Sequence, residues 1–584
     1  MATRVGSIMV AASAWAVWPA DADACGGTFC DASGPNPPTV DQAAETVLFV
    51  QDGPWIEAHV QIVIDPNTDA TKFAWLVPMP SVPELSVGSQ PLFDALLAGS
   101  SPRFTTTGGS CYQGDVSGGD EGYHFDIGGV DPPDVQTEVI GAFEASILAG
   151  GNVDGVLEWL ADNGYAQDEA AEPIIADYLS RDFVMVAFKL APNADVGEIH
   201  PVVLRHQSDE PCVPLELTAI AAQDDMGVRT LFLGEQRWAP LNYRHVVPNP
   251  LRMPWVFGES SYPGAIAMAV DEASAGHGFV TEYAGPSEVV DDTGLYDARW
   301  SSMPFATAAA IEVVDLLNAQ GLADCTEGFC SVPHPLVVAL LGSYLPVPEG
   351  VNGNDFYACL SCYVDQTEFT EWDGPAFAAD LQTRVIEPAA HASELLASWP
   401  YLTRMFTAIS PHEMTLDPMF HVNAELPDVP LAVPVERSCR ECDSATIMHF
   451  PGRELVLPYE AAPQFGDDMP WAERVEMIPE NGAPIVELDR GAEIDAALIA
   501  WNEQQVCGGR PGGTTGDTTD GTPGDGGDGT GSASGSGDAG QDGGSAEDSG
   551  QPARGCGCES GSSRQLAGGW ACIVLVLGVR RRRG

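Results

Sequence analysis

The sequence predicts an α+β body, strand-rich in its first half, with helices mainly in the second half, and stapled by disulfides. Three observations carry this expectation. Between residues 46 and 233 short apolar or alternating runs recur between Pro, Gly, Asn and Asp, the pattern of half-buried strands. From 305 to 409 the apolar runs are longer and fit a helical repeat. Eleven of the 14 cysteines lie in residues 25–507, downstream of what reads as an export signal, and export favours disulfides.

The elements follow in chain order. Residues 46–50 form an apolar run, and 55–64 partly alternates up to the turn signal Asp65-Pro66-Asn67. A third strand is expected at 72–77, stopped by Pro78 and Pro80, then a short helix at 92–97 and a strand at 135–148. Helices are expected at 153–160, ending at Asn163-Gly164, and at 173–179. Further strands are expected at 183–190, 202–205, 213–221 and 229–233. The later helices fall at 305–317, 335–341, 377–385 and 391–409, the last broken at Pro400. No internal repeat of 20–50 residues is present.

Both ends carry targeting patterns. Residues 1–24 read as a signal peptide: Arg4, an apolar run to Trp18, Pro19, then Ala22-Asp23-Ala24 before Cys25. Residues 508–555 hold 18 of the 63 glycines and read as a flexible Gly/Asp/Ser/Thr linker. Residues 556–584 follow, with Cys556 and Cys558, an apolar stretch at 566–579 and four closing arginines. At about 1.5 Å per residue that stretch reaches about 21 Å, less than a hydrocarbon core of about 30 Å. Cysteine motif, short apolar segment and arginine cluster together resemble the MYXO-CTERM sorting tail of myxobacteria. That resemblance implies cleavage near Cys556 or Cys558, modification of one of them, and retention at the cell surface.

The chain carries 84 acids and 25 bases, a net charge of −59, and only two lysines. Residues 25–507 alone hold 73 acids and 17 bases. Such a surface repels polyanions, so nucleic acid is excluded as a general partner. With 44% hydrophobic residues and 13 Trp, disorder throughout is excluded as well.

The disulfide candidates are Cys25, Cys30, Cys111, Cys212, Cys325, Cys330, Cys359, Cys362, Cys439 and Cys442. Cys25/Cys30 and Cys325/Cys330 share a C-x-x-x-F-C form, while Cys359/Cys362 and Cys439/Cys442 are C-x-x-C. Two C-x-x-C pairs can make a zinc site, but 76 residues separate these two, against about 15–20 in the usual spacing. Connectivity cannot be read from spacing, and an odd count in the body leaves one thiol free, lipidated or paired between chains.

Several motifs in order resemble the bacterial family catalogued as domain of unknown function 2330. They are CGGTFC at 25–30, FAWLVPMP at 73–80, WLADNGY at 159–165 and FVMVAFKL at 183–190. VPLELT at 213–218, APLNY at 239–243 and TRMFTAISPHEMTLDP at 403–418 continue the series. The resemblance covers about 25–430, leaving 431–507 as an extension of the ectodomain. It implies an exported, often membrane-associated protein, and assigns no catalytic residue.

No nucleophile elbow, H-E-x-x-H pair, phosphate loop or dinucleotide fingerprint is present. Ser410-Pro411-His412-Glu413 reads as a capping box. His200 and His206 would share a face if one strand ran through both. Arg237, Arg244 and His245 make a small basic patch, for which pairing with nearby acids is favoured over anion binding. The first functional expectation is therefore a surface-tethered binding or structural module facing an extracellular partner, joined to the membrane by its C-terminal tail. The alternative is a surface hydrolase or metal-dependent enzyme with a site assembled from distant residues such as His200, His206 and Glu413. No cofactor is predicted, with Ca²⁺ or Zn²⁺ as the ions to consider.

Overall fold

Alternation in strand 42–52 sets up the architecture. Val47 and Phe49 point to one face, Leu48 and Val50 to the other, and all four are buried. A strand buried on both faces needs a layer above and below it. The computed structural model supplies both. It describes residues 28–507 except 31–41, 65–72, 109–136, 150–151, 164, 166–170, 191–198, 254, 256–261, 327–328, 366, 368, 444, 459–462 and 464. The signal, linker and tail readings lie outside the described residues. The described residues form one compact unit.

A ten-stranded sheet runs in the order 485–489, 472–477, 244–248, 278–286, 401–409, 222–234, 42–52, 55–64, 202–207, 84–87. Its pairs are antiparallel except 222–234 with 42–52 and 244–248 with 278–286. A five-stranded antiparallel sheet, 28–30, 73–79, 184–190, 143–148 and 137–140, packs on one face. Val47, Phe49, Ala58, Val60, Phe232 and Met405 there meet Trp75, Val77 and Phe188 of the smaller sheet. On the opposite face Leu48, Val50, Leu231 and Leu402 pack under helices Gln90–Ser100 and Glu387–Ser398. Ala74, Leu76, Met185 and Ala187 form the outer face of the smaller sheet, under helices Val153–Asp162 and Ala171–Ser180. The result is helix, sheet, sheet, helix in four layers.

Two further cores flank these layers. Residues 303–386 are largely helical and bury Phe305, Leu317, Leu340, Phe356 and Phe377 together. Strands 453–457, 446–450, 432–439 and 103–107 form a four-stranded sheet that packs on helix Gly491–Gln504 through Leu455, Leu457, Ile494 and Leu498. Strands from 431–507 thus pair with strands 103–107 and 244–248 of the earlier chain.

Local chemistry explains the element ends. Ser89 Oγ accepts the Leu92 N–H at 3.3 Å and starts one helix; the Asn152 side chain accepts from Gly155 at 3.1 Å and starts another. Half of the capping box at Ser410 forms, on a 3₁₀ turn at 411–413: Glu413 accepts the Ser410 N–H, while Ser410 Oγ accepts the Asp225 N–H at 3.1 Å. Lys189 pairs with Glu144 across two strands at 3.5 Å, both buried.

Four expectations are corrected. Residues 135–148 form a hairpin of two strands, 137–140 and 143–148, turning at Gly141 with φ +62°. Strand 73–79 runs through Pro78. Residues 213–221 hold a helical turn, Leu215–Thr218, with Pro214 at its cap, in place of a strand. After Pro400 the chain becomes strand Tyr401–Ile409, not more helix.

Candidate functional site

Where the two sheets part, a cavity of about 390 Å³ remains, within the range of small-molecule sites. Its walls are mainly apolar, with Val47, Phe49, Ala58, Val60, Trp75 and Val77 prominent. Two crossing segments close one end: Val213 N–H donates to the Pro418 carbonyl at 3.2 Å and Phe420 N–H to the Pro211 carbonyl at 3.1 Å.

A few polar groups converge on this apolar space. Glu45 shares the inward face of its strand with Val47 and Phe49 and is 4% exposed. Gln42 Nε2 donates to its Oε2 at 3.1 Å. Burial first, opposed by that hydrogen bond, and then the Asp417 carboxylate carry the Glu45 carboxyl from its usual 4.5 to about 7. Asp417 accepts the Tyr178 hydroxyl on both oxygens, at 2.7 and 2.9 Å, and the Glu216 N–H at 2.9 Å. Burial still outweighs these bonds and lifts Asp417 from 3.8 to about 6. Burial and the neighbouring Asp417 carboxylate push the Tyr178 hydroxyl upward. Arg181 also lines the cavity: it lies 2.9 Å from Asp177 and 3.9 Å from Glu216, and its guanidinium sits 4.5 Å over the Tyr178 ring.

Cys212 also lines the cavity, held by a β-bridge to Met419. Expected as a disulfide candidate, it is a free thiol. Among the described residues no other cysteine lines the cavity, and burial pushes the thiol well up. The bridges with both ends among the described residues are Cys325–Cys330, Cys359–Cys362 and Cys442–Cys507. Cys507, left out of the candidates, thus takes the partner that spacing suggested for Cys439, while Cys439 forms another disulfide. Helix 491–504 returns along the four-stranded sheet and delivers Cys507 to Cys442, a contact 65 residues long in sequence. The side chains of Cys25, Cys30, Cys111, Cys556 and Cys558 lie outside the described residues.

The residues of the assembled hydrolytic site are not brought together. His200 precedes strand Val202–Gln207 rather than sharing it, so no face is common with His206. Its Nε2 faces the Ala142 N–H at 3.1 Å and its Nδ1 the Pro201 carbonyl at 2.8 Å. Burial lowers it to about 4. His206 lines the cavity. Glu413 accepts the Ser410 N–H at 3.0 Å as part of the capping box. The basic patch is paired internally, Arg244 with Glu487 at 2.7 Å and His245 with Glu476 at 3.1 Å. Trp75 is buried, and also forms cavity wall.

One cluster was missed from sequence. Glu57, His59 and His391 bring one ligand atom each within 4.8 Å of one another, the only such group of three among the described residues. Both imidazoles meet Glu57 Oε1 through Nε2, His59 at 2.7 Å and His391 at 2.5 Å.

Fold and cavity together define a class: an α+β sheet-on-sheet protein with a ligand-sized apolar cavity bearing a buried acid pair. The family model for uncharacterized proteins conserved in bacteria, domain of unknown function 2330, matches residues 19–320. The chain belongs to that family. The match ends at 320, although strand 401–409 and Asp417 complete the sheet and cavity. Among solved structures the chain is similar to baculovirus P35, at 14% identity over 34% of this chain and 66% of that one, with a TM-score of 0.23. The caspase-8/P35 complex is 10% identical over 35% of this chain and 74% of that one, with a TM-score of 0.20. Scores this low carry no fold argument. No curated protein matches.

Proposed function

We propose that this protein is an exported binding module that captures a small, largely apolar molecule bearing a basic or hydrogen-bond-donating group. The single observation that carries the reading is the 390 Å³ cavity, apolar over most of its wall and carrying Glu45 and Asp417. A preformed apolar space with a few placed polar groups is the usual form of a small-molecule site. An incoming cation recovers the electrostatic cost of ionising Glu45, whereas a carboxylate adds to it.

The test is a homologous series of alkylamine, alcohol and carboxylate, titrated calorimetrically into the purified protein. Amine should bind best and carboxylate worst, and Ala58→Trp, which fills the cavity, should abolish binding. Equal affinity across the series, or binding untouched by Ala58→Trp, overturns the reading.

The cellular setting belongs to the same proposal. The signal pattern at 1–24, the linker at 508–555 and the MYXO-CTERM-like tail at 556–584 support export and tethering at the cell surface, with the membrane engaged by the tail. On this reading 25–430 is the family ectodomain and 431–507 its extension. A protease added to intact cells should release the ectodomain; an untouched ectodomain would refute surface display.

A further inference from the structure

We propose that Glu57, His59 and His391 form a binding site for one divalent ion of the zinc type, on the opposite side of the large sheet from the cavity. Strand 55–64 makes the site possible. Ile56, Ala58, Val60 and Ile62 face the inter-sheet core, so Glu57 and His59, two residues apart, share the other face. Helix Glu387–Ser398 lies over that face, anchored by Ala392 and Leu395. It follows a π-turn at 382–386 and sets the His391 ring against that of His59, with centroids 5.9 Å apart and planes 11° from parallel. Three side chains from two rigid elements thus converge on one point.

The donor set selects the ion. Two imidazole nitrogens and one carboxylate oxygen suit zinc and its neighbours, whereas calcium takes six or more oxygens. Without an ion, the two Nε2 atoms crowd a single carboxylate oxygen at 2.7 and 2.5 Å. Around an ion with bonds of about 2.0–2.1 Å, tetrahedral ligands sit about 3.3 Å apart. The two nitrogen–oxygen distances must therefore widen by less than about 1 Å, and the two nitrogens, within 4.8 Å of each other, must settle near the same spacing. His391 has the freedom to do so, because its side chain is 42% exposed, against 2% for His59. The same exposure gives the ion a path in and leaves a fourth position for water or an external ligand. His59 Nδ1 is buried without a partner, so no protein hydrogen bond ties that ring to another orientation. The net charge of −59 raises the local cation concentration around the whole molecule.

The test uses the full-length protein, stripped with a chelator and titrated with Zn²⁺ in excess Ca²⁺, which masks surface carboxylates. About one equivalent should bind tightly. Co²⁺ in its place should give visible d–d bands without a sulfur charge-transfer band. His391→Ala, at a half-exposed position and checked for native circular dichroism, should weaken binding about 100-fold. His449→Ala, which removes an imidazole paired with Glu454, and Cys212→Ser should bind as the parent does. No uptake by the stripped parent, or unchanged affinity in folded His391→Ala, overturns the assignment and leaves the trio as a hydrogen-bonded clasp between helix and sheet.

Discussion

Replacing Glu45 by Gln tests the electrostatics of the cavity directly. In the native protein this carboxyl keeps its proton to about pH 7, against a usual 4.5. The unfolded chain gives up its proton first as pH rises, so folding stability is lost between these values. At about 1.4 kcal/mol per pH unit the loss reaches about 3 kcal/mol. Gln keeps the shape and the oxygen that accepts from Gln42 at 3.1 Å, but cannot ionise. Glu45→Gln should therefore match the parent at about pH 4, below the unfolded value, and exceed it by about 3 kcal/mol at about pH 8. Urea unfolding followed by tryptophan fluorescence reads this difference, and an unchanged slope confirms that the same surface is exposed. Taking the difference between the two proteins cancels other titrating groups that behave alike in both. A gain equal at both pH values, or a variant weaker at about pH 8, refutes the reasoning.

Other expected outcomes follow from the same contacts. Tyr178→Phe removes the hydroxyl that both Asp417 oxygens accept and should cost about 1–3 kcal/mol. The cost should be larger above about pH 6, where Asp417 ionises, and urea midpoints on either side of that pH check it. Arg404→Ala leaves the buried Glu282 without its closest cation and frees acceptors on Leu97 and Ser100. A loss of about 3–5 kcal/mol is expected, and adding Glu282→Gln should recover part of it in thermal melts. Gly141→Ala would place a Cβ 2.1 Å from His200 Nε2 at φ +62°, whereas Gly53→Ala, at φ +59°, meets nothing within 4 Å. Gly53→Ala should show backbone strain of about 1 kcal/mol, and Gly141→Ala clearly more; equal losses would show that His200 simply moves aside.

The sheet-rich first half was legible because its strands alternate. Strand 55–64 separates Ile56, Ala58, Val60 and Ile62 from Glu57, His59 and Gln61, a period of two that sequence displays. Strand 401–409 was misread as helix because it is buried on nearly its whole length; without a solvent face there is no alternation to see. At 213–221 the apolar run suggested a strand, but a segment crossing the cavity end folds into one turn. One signal at the candidate site was available and missed: Glu45 falls on the apolar face with Val47 and Phe49, an acid where the pattern demands a hydrophobe. The metal-type cluster had no such signal. His391 stands 334 residues from Glu57, and only the packing of helix 387–398 on the sheet brings them together.

The Cys442–Cys507 bridge has a mechanical consequence. A pull on the chain beyond residue 507 enters the folded body at Cys442, because the bond bypasses the 65-residue separation between the two cysteines. Helix 491–504 and strands 446–450, 453–457, 472–477 and 485–489 all lie inside that loop and carry no load while the bond is intact. About 220 Å of extended chain is thereby kept out of reach of force. Reduction would move the point of attack to the C-terminal helix, whose detachment would expose Leu455 and Leu457. The thiol redox state thus sets how much of the protein can be unravelled by tension from its C-terminal side.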